Sequence, residues 1–237
     1  MRKRRKNTNR SKRGTPVVEN LEPRVLFSAD FPGLDAAIPS TDDLGDVDAQ
    51  QVLADAQAAF EQHNTDSGWD RQHYDFGSTD YAEGGYLISI ATPDQMMWAN
   101  PGLAFKDVSV EVETVWLDGG DDNNLGIICR YQDVANFYAL MISSDGYYGI
   151  RRALSGYDTI TFIGSTGMQQ SDVINMNGHN QLRADCIGST LSLYANGELL
   201  MQVEDNALAY GDVGLIAGTF GAESTEILFK NLVVYLP

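Results

Sequence analysis

Chemistry in this chain, if there is any, has to come from its acidic residues, because histidine is scarce. Glu111-Val112-Glu113 is the best carboxylate pair. In a strand, the i, i+2 spacing puts both on one face, and Val108, Val110 and Val112 then occupy the other. Retaining cleavage of a glycoside needs two carboxyls about 5–5.5 Å apart across the bond. This pair shares a face, but Thr114 and Val115 stand where a further acid would extend the row, so it reads as solvated strand carboxylates. His63, His73 and His179 are scattered without zinc-ligand spacing, and no Gly-x-Ser-x-Gly elbow offers a nucleophile. Asp118-Gly119-Gly120-Asp121-Asp122-Asn123-Asn124 does gather hard oxygen donors in a glycine-loosened loop. That suits calcium in kind, with Asp121 and Asp122 as ligands, although the spacing is not that of an EF-hand. The expected complement is therefore no catalytic residue and no cofactor beyond a structural calcium.

Aromatic residues supply the second chemistry. The chain has three Trp (Trp69, Trp98, Trp116) and eleven Tyr, all from Trp69 onward. Sugar rings present flat C–H faces that lie on aromatic planes, while Asp, Asn and Arg answer the hydroxyls. Trp98, Tyr131, Tyr148 and Arg151 are the candidate ligand-binding set. Tyr147 and Tyr148 must face opposite ways, so only one of the two can take part. The competing reading is that these rings fill the core, as most buried Trp and Tyr do. Cys129 and Cys186 are the only thiols. They form a disulfide candidate in an exported protein and two small buried apolar groups in a cytosolic one.

These residues need elements to hold them. Short alternating runs begin near Gly68. Strands are expected at 85–90, 108–113, 125–131, 137–142, 147–152, 158–164, 181–187, 191–195, 199–203, 212–218 and 226–236. Asn196-Gly197 predicts a two-residue type I′ hairpin, and Asp145-Gly146 a similar turn. No helical period separates the strands, so the fold class is all-β: an antiparallel β-sandwich of jelly-roll type over residues 68–237. Ahead of it, 31–67 reads as linker containing one short amphipathic helix at about 48–62. Its apolar face is Val52, Leu53, Ala56, Ala59 and Phe60, and its role is to cover part of the domain surface.

The net charge of −17 hides two unlike polymers. Residues 1–30 carry nine basic and three acidic groups, and the remainder carries seven basic and 30 acidic. The basic head lacks any hydrophobic period and is expected to be disordered. The acidic remainder repels phosphate backbones, which argues against nucleic acid as a partner. No apolar run reaches the roughly 20 residues that span a bilayer.

Two segments carry resemblances. Leu21-Glu22-Pro23-Arg24-Val25-Leu26-Phe27-Ser28-Ala29-Asp30 resembles the LEPR-XLL segment of bacterial surface-associated proteins, with Phe27 replacing the usual second Leu. The resemblance implies envelope traffic and an extracytoplasmic, secreted or cell-surface location. Asp121–Asp133, Asn136–Ile150, Leu193–Leu199 and Gly211–Gly218 together resemble concanavalin A-like, laminin-G-like jelly rolls. That superfamily includes 3-keto-disaccharide hydrolase-type domains and family-16 glycoside hydrolases, whose Glu-x-Asp-x-x-Glu strand is not matched here. The resemblance implies the fold and not an activity; the function expected is that of an exported or cell-surface bacterial binding module that recognises carbohydrate or another extracellular ligand without catalysis. A glycoside-processing enzyme like the 3-keto-disaccharide hydrolases is the first alternative, and a structural or adhesive surface domain the second.

Overall fold

A computed structural model describes residues 69–236, apart from Glu83, 156–159, Asn177 and 222–223. The basic head, the linker and the helix expected at 48–62 lie outside the described residues. In chain order the strands are β1 (Gln72–Tyr74), β2 (Gly77–Ala82), β3 (Gly85–Ile90), β4 (Met96–Ala99) and β5 (Val108–Gly119). Next come β6 (Asn123–Asp133), β7 (Asn136–Ile142), β8 (Tyr147–Ala153), β9 (Thr161–Ile163) and β10 (Gln169–Gln170). The last five are β11 (His179–Ile187), β12 (Thr190–Ala195), β13 (Glu198–Glu204), β14 (Asp212–Thr219) and β15 (Thr225–Tyr235).

They form two antiparallel sheets. Sheet I runs β1-β2-β3-β15-β5-β11-β12-β13, and sheet II runs β10-β8-β7-β6-β14-β4, with β9 also on β8. The chain is thus the expected all-β sandwich. Each of the eleven expected strands is present, and β1, β2, β4 and β10 are additional.

Side-chain alternation explains the main core. Val108, Val110 and Val112 of β5 turn inward with Leu182, Ala184 and Cys186 of β11 and with Leu191 and Leu193 of β12. Leu125, Ile127 and Cys129 of β6, Tyr138, Leu140 and Ile142 of β7, and Leu215 and Ala217 of β14 meet them from sheet II. Cys129 and Cys186 are joined by a disulfide, with Cα atoms 6.8 Å apart, so a covalent bond crosses the core from β6 to β11. Both cysteines are fully buried.

Sheet II departs from simple alternation. Its β14 is buried at every position and β7 at all but the first. Ile128, Phe137, Ala139, Met141, Ala153 and Ile216 form a second apolar cluster, packed with Met96, Trp98, Tyr131 and Ile160. These side chains have the opposite parity to the main core and define the outer face of sheet II. A continuous apolar run such as Phe137–Ile142 has this consequence, because a strand without polar alternation has no side suited to water.

The two expected hairpins differ. Ala195 pairs with Glu198, and Asn196 and Gly197 take φ of 51° and 85°, as a type I′ turn requires. Between β7 and β8 only Gly146 has positive φ, at 94°, and its N–H donates to the Ser143 carbonyl at 3.1 Å. That connection is a longer turn closed by a left-handed glycine, so the Asp145-Gly146 expectation is corrected in type.

Arg130 also has positive φ, 53°, where the β6–β7 register shifts. The kink turns its side chain into the body of the protein. There it donates to the carbonyls of Leu208 at 2.8 Å and Gly188 at 2.5 Å, and lies 3.7 Å from Asp107.

Candidate functional site on the outer face of sheet II

Strand register places the side chains of this face. One cross-strand row reads Gly149, Met141, Gly126, Ile216 and Trp98 across β8, β7, β6, β14 and β4. The next row reads Arg151, Ala139, Ile128 and Gly214. On the other side lie Asn124, Gly218 and Met96. Four of these positions are glycine, so neighbouring side chains can fold across them. A Cβ at Gly149 would meet the Phe162 ring at 3.0 Å, and one at Gly218 would meet Met96 at 2.7 Å and Asn124 Nδ2 at 2.8 Å.

Three aromatic rings gather at one end. Trp98 lies 6.5 Å from Tyr131 and 6.0 Å from Phe137, and Tyr131 lies 6.0 Å from Phe137, ring centre to ring centre. Trp98 and Tyr131 are half-buried. Each ring therefore keeps part of its surface for another molecule.

Arg151 occupies the opposite part. Its Cζ is 4.9 Å from the Phe162 ring centre and 5.8 Å from that of Phe220. Phe162 is its register partner on β9, whereas Phe220 follows β14, three strands away. Seeing both rings requires the guanidinium to extend across the face. Arg151 is only 8% exposed, and burial alone depresses its pKa from the ordinary value. Its Nε is cut off from solvent without a hydrogen-bond partner. Asn124 is fully buried, and neither its Oδ1 nor its Nδ2 has a partner. Such groups normally cost about 1–3 kcal/mol each when left unmade.

Of the residues nominated from sequence, Trp98, Tyr131 and Arg151 thus share one face. Tyr148 does not, and that nomination is corrected. It pairs with Ile142 and packs on the main core, while its hydroxyl donates to Gln169 at 2.9 Å. The reason is parity: positions 148 and 151 are three apart on one strand and must face opposite ways. Reasoning from sequence missed Asn124, which was grouped with the acidic loop, and Phe162, Phe137 and Phe220.

The acidic loop places Asp121 and Asp122 side by side at the surface. Both are exposed, and no group of three or more metal-binding side chains converges among the described residues. Asn123 organises the turn instead, donating to Gly120 O at 3.0 Å and Thr225 Oγ1 at 3.1 Å and accepting from Ser144 N–H at 3.0 Å. Burial and the neighbouring carboxylates of Asp145, Asp121 and Asp94 raise the pKa of Asp122.

Sheet I carries a separate depression of about 340 Å³ on its outer side, lined by Glu113, His179, Asn180, Gln181, Asn196 and Asn231. His179 Nδ1 lies 3.2 Å from Glu113 Oε1, and Asn231 donates to Glu113 Oε2 at 2.8 Å. Those two contacts hold the Glu113 pKa below its ordinary value. Glu111 lies 3.8 Å from Arg183. The two glutamates share a face as expected, and each already has a polar neighbour.

No protein-family model matches the chain, and no curated protein matches it. Solved structures do. The chain is similar to the carbohydrate binding module CBM66 from Bacillus subtilis, with a TM-score of 0.59 and 15% identity over 72% of this chain and 96% of that one. A Bacillus subtilis protein of unknown function with a galectin-like fold gives 0.51 and 10% over 74% and 93%. An alginate lyase, A1-II′, gives 0.50 and 10% over 76% and 100%. At these identities the likeness is one of fold. The chain is an antiparallel β-sandwich similar in fold to these proteins.

Proposed function

We propose that the protein is an exported carbohydrate-binding module whose ligand lies on the outer face of sheet II. The observation that carries this reading is the three-ring group of Trp98, Tyr131 and Phe137 on the same face as two buried polar side chains without partners, Arg151 and Asn124. The half-buried rings of Trp98 and Tyr131 supply flat apolar surfaces for pyranose C–H faces, Phe137 backs them, and the Arg151 guanidinium supplies a donor for a ring substituent. Similarity to a carbohydrate binding module supports a fold suited to this use. The fully buried disulfide supports an oxidising, extracytoplasmic location.

The glycoside-processing alternative needs facing carboxylates at the ligand. Glu111 and Glu113 lie on sheet I, away from the aromatic group, and are engaged by Arg183, His179 and Asn231. Binding without turnover is the better reading.

A glycan array probed with the full chain, with and without chelator, tests it. The expected result is a restricted set of bound sugars, unchanged by chelator, and weakened at least tenfold by Trp98→Ala at unchanged melting temperature. Failure to bind any glycan refutes the proposal.

A further inference from the structure

We infer that Arg151 makes this face selective for a sugar that carries one oxyanion, a carboxylate or a sulfate, in an otherwise neutral glycan. The inference rests on the carbohydrate-binding reading and names the ligand class for the same face. A guanidinium is charged at any ordinary pH, so a buried one calls for an anion or a full set of acceptors. Arg130, the other deeply buried arginine among the described residues, has acceptors for its terminal nitrogens, two backbone carbonyls with Asp107 nearby, although its Nε too is unpartnered. Among the described residues Arg151 has neither ion pair nor hydrogen bond, and the rings of Phe162 and Phe220 approach its guanidinium carbon. Its Nε is occluded, while the terminal nitrogens keep the exposure that the side chain retains. Rings hold the fork in place and leave its donor edge unanswered.

That edge fits an oxyanion presenting two oxygens, a carboxylate or a sulfate, by two parallel hydrogen bonds, which a hydroxyl does not reproduce. The flanking phenyl rings offer surface for the sugar's C–H groups beside the charge. Residues 31–237, with seven basic and 30 acidic groups, repel an extended polyanion, so one oxyanion among neutral hydroxyls is favoured over a polyanionic chain. A contact this buried is also weakly screened, and moderate salt should leave it intact.

The test compares methyl glucuronoside, methyl glucoside and glucose 6-sulfate against the full chain by calorimetry or saturation-transfer NMR. The glucuronoside and the sulfate should each bind at least tenfold more tightly than the glucoside. Arg151→Gln should bring both to the level of the glucoside, with Arg151→Lys recovering only part of the preference. Equal binding of glucuronoside and glucoside overturns the inference and leaves the carbohydrate-binding reading standing. So does a preference that survives in Arg151→Gln. A sulfate that binds no better than the glucoside also overturns the inference, because a second oxyanion should fill the same fork. If the array shows bound sugars but the glucuronoside is not among those recognised, the inference also fails. Absence of any glycan binding overturns both readings together. The wild-type comparison needs no variant, so a folding defect at Arg151 cannot obscure the result.

Discussion

Reducing the bond between Cys129 and Cys186 should remove about 4 kcal/mol of stability at 25 °C. The two residues are 57 positions apart, and a cross-link closing a loop of that length restricts the denatured chain by roughly this amount. The native state should change little, because both side chains are fully buried in a core that also contains Leu125, Ile127, Leu182 and Ala184. Urea denaturation of oxidised and reduced protein, followed by tryptophan fluorescence, measures the difference. With a slope of about 2 kcal/mol per M for a domain of this size, the midpoint should fall by about 2 M on reduction. The oxidised form should also show the shallower slope, since its cross-linked denatured chain exposes less surface. A Cys129→Ala/Cys186→Ala double variant loses two buried sulfur atoms as well as the bond. Its extra loss relative to reduced wild type therefore measures packing alone. Oxidised and reduced proteins that differ by less than about 1 kcal/mol would refute the argument, because the denatured chain would then gain no freedom from the missing bond.

Three further outcomes follow from the side-chain environments. Burial raises the Asp205 pKa, but hydrogen bonds from Tyr138 at 2.5 Å and Ala207 at 3.0 Å, with Arg152 at 2.5 Å, outweigh it and leave the folded value below the ordinary 3.8. A depressed carboxyl stabilises the fold above its unfolded pKa and loses that contribution as pH falls through the folded one. Asp205→Asn should therefore lower stability at pH 7 and flatten the acid limb below pH 4 in thermal melts, and an unchanged limb contradicts the assignment. Gly197→Ala should cost about 1 kcal/mol by urea titration, because φ is 85° while nothing lies within 4 Å of the added methyl. Asn124→Val should raise stability by about 1–3 kcal/mol, by removing two buried unpaired polar atoms, and should weaken glycan binding on the array. A destabilised variant would show that the amide is satisfied in solution.

The fold was legible because its strongest signals are local. Alternation at Val108, Val110 and Val112 and the turn at Asn196-Gly197 each need only a few neighbouring residues to be read. The strands that escaped notice are those whose pairing is decided elsewhere. In β2, the sequence Gly-Ser-Thr-Asp-Tyr-Ala has little strand character and is held by its register with β3. Strand β10 has two residues, and β4 is a short apolar run closed against β14. Part of the candidate site was legible by residue type, as Trp98, Tyr131 and Arg151 show. Their common face was not, because it depends on the order β8-β7-β6-β14-β4, which no single segment encodes. Tyr148 could have been set aside from spacing alone, since it and Arg151 differ in parity.

The two outer faces treat charge in opposite ways, and that contrast locates the function. On sheet I, Glu113 meets His179 and Asn231, and Arg183 meets Asp185 at 2.7 Å and Glu111 at 3.8 Å. Apart from Asp185, which is buried and paired with Arg183, those groups are exposed or half-buried and would tolerate being alone, yet they are paired. On sheet II, Arg151 and Asn124 are buried and cannot tolerate it, yet the described residues leave them unanswered. Folding stability gives no reason to keep them, since a domain has only about 5–15 kcal/mol to spare and each unmet group draws on it. A breach of local consistency of this kind is expected where a ligand completes the set. In the proposed reading, the aromatic group beside them receives a flat sugar face and the unanswered fork of Arg151 an oxyanion on it.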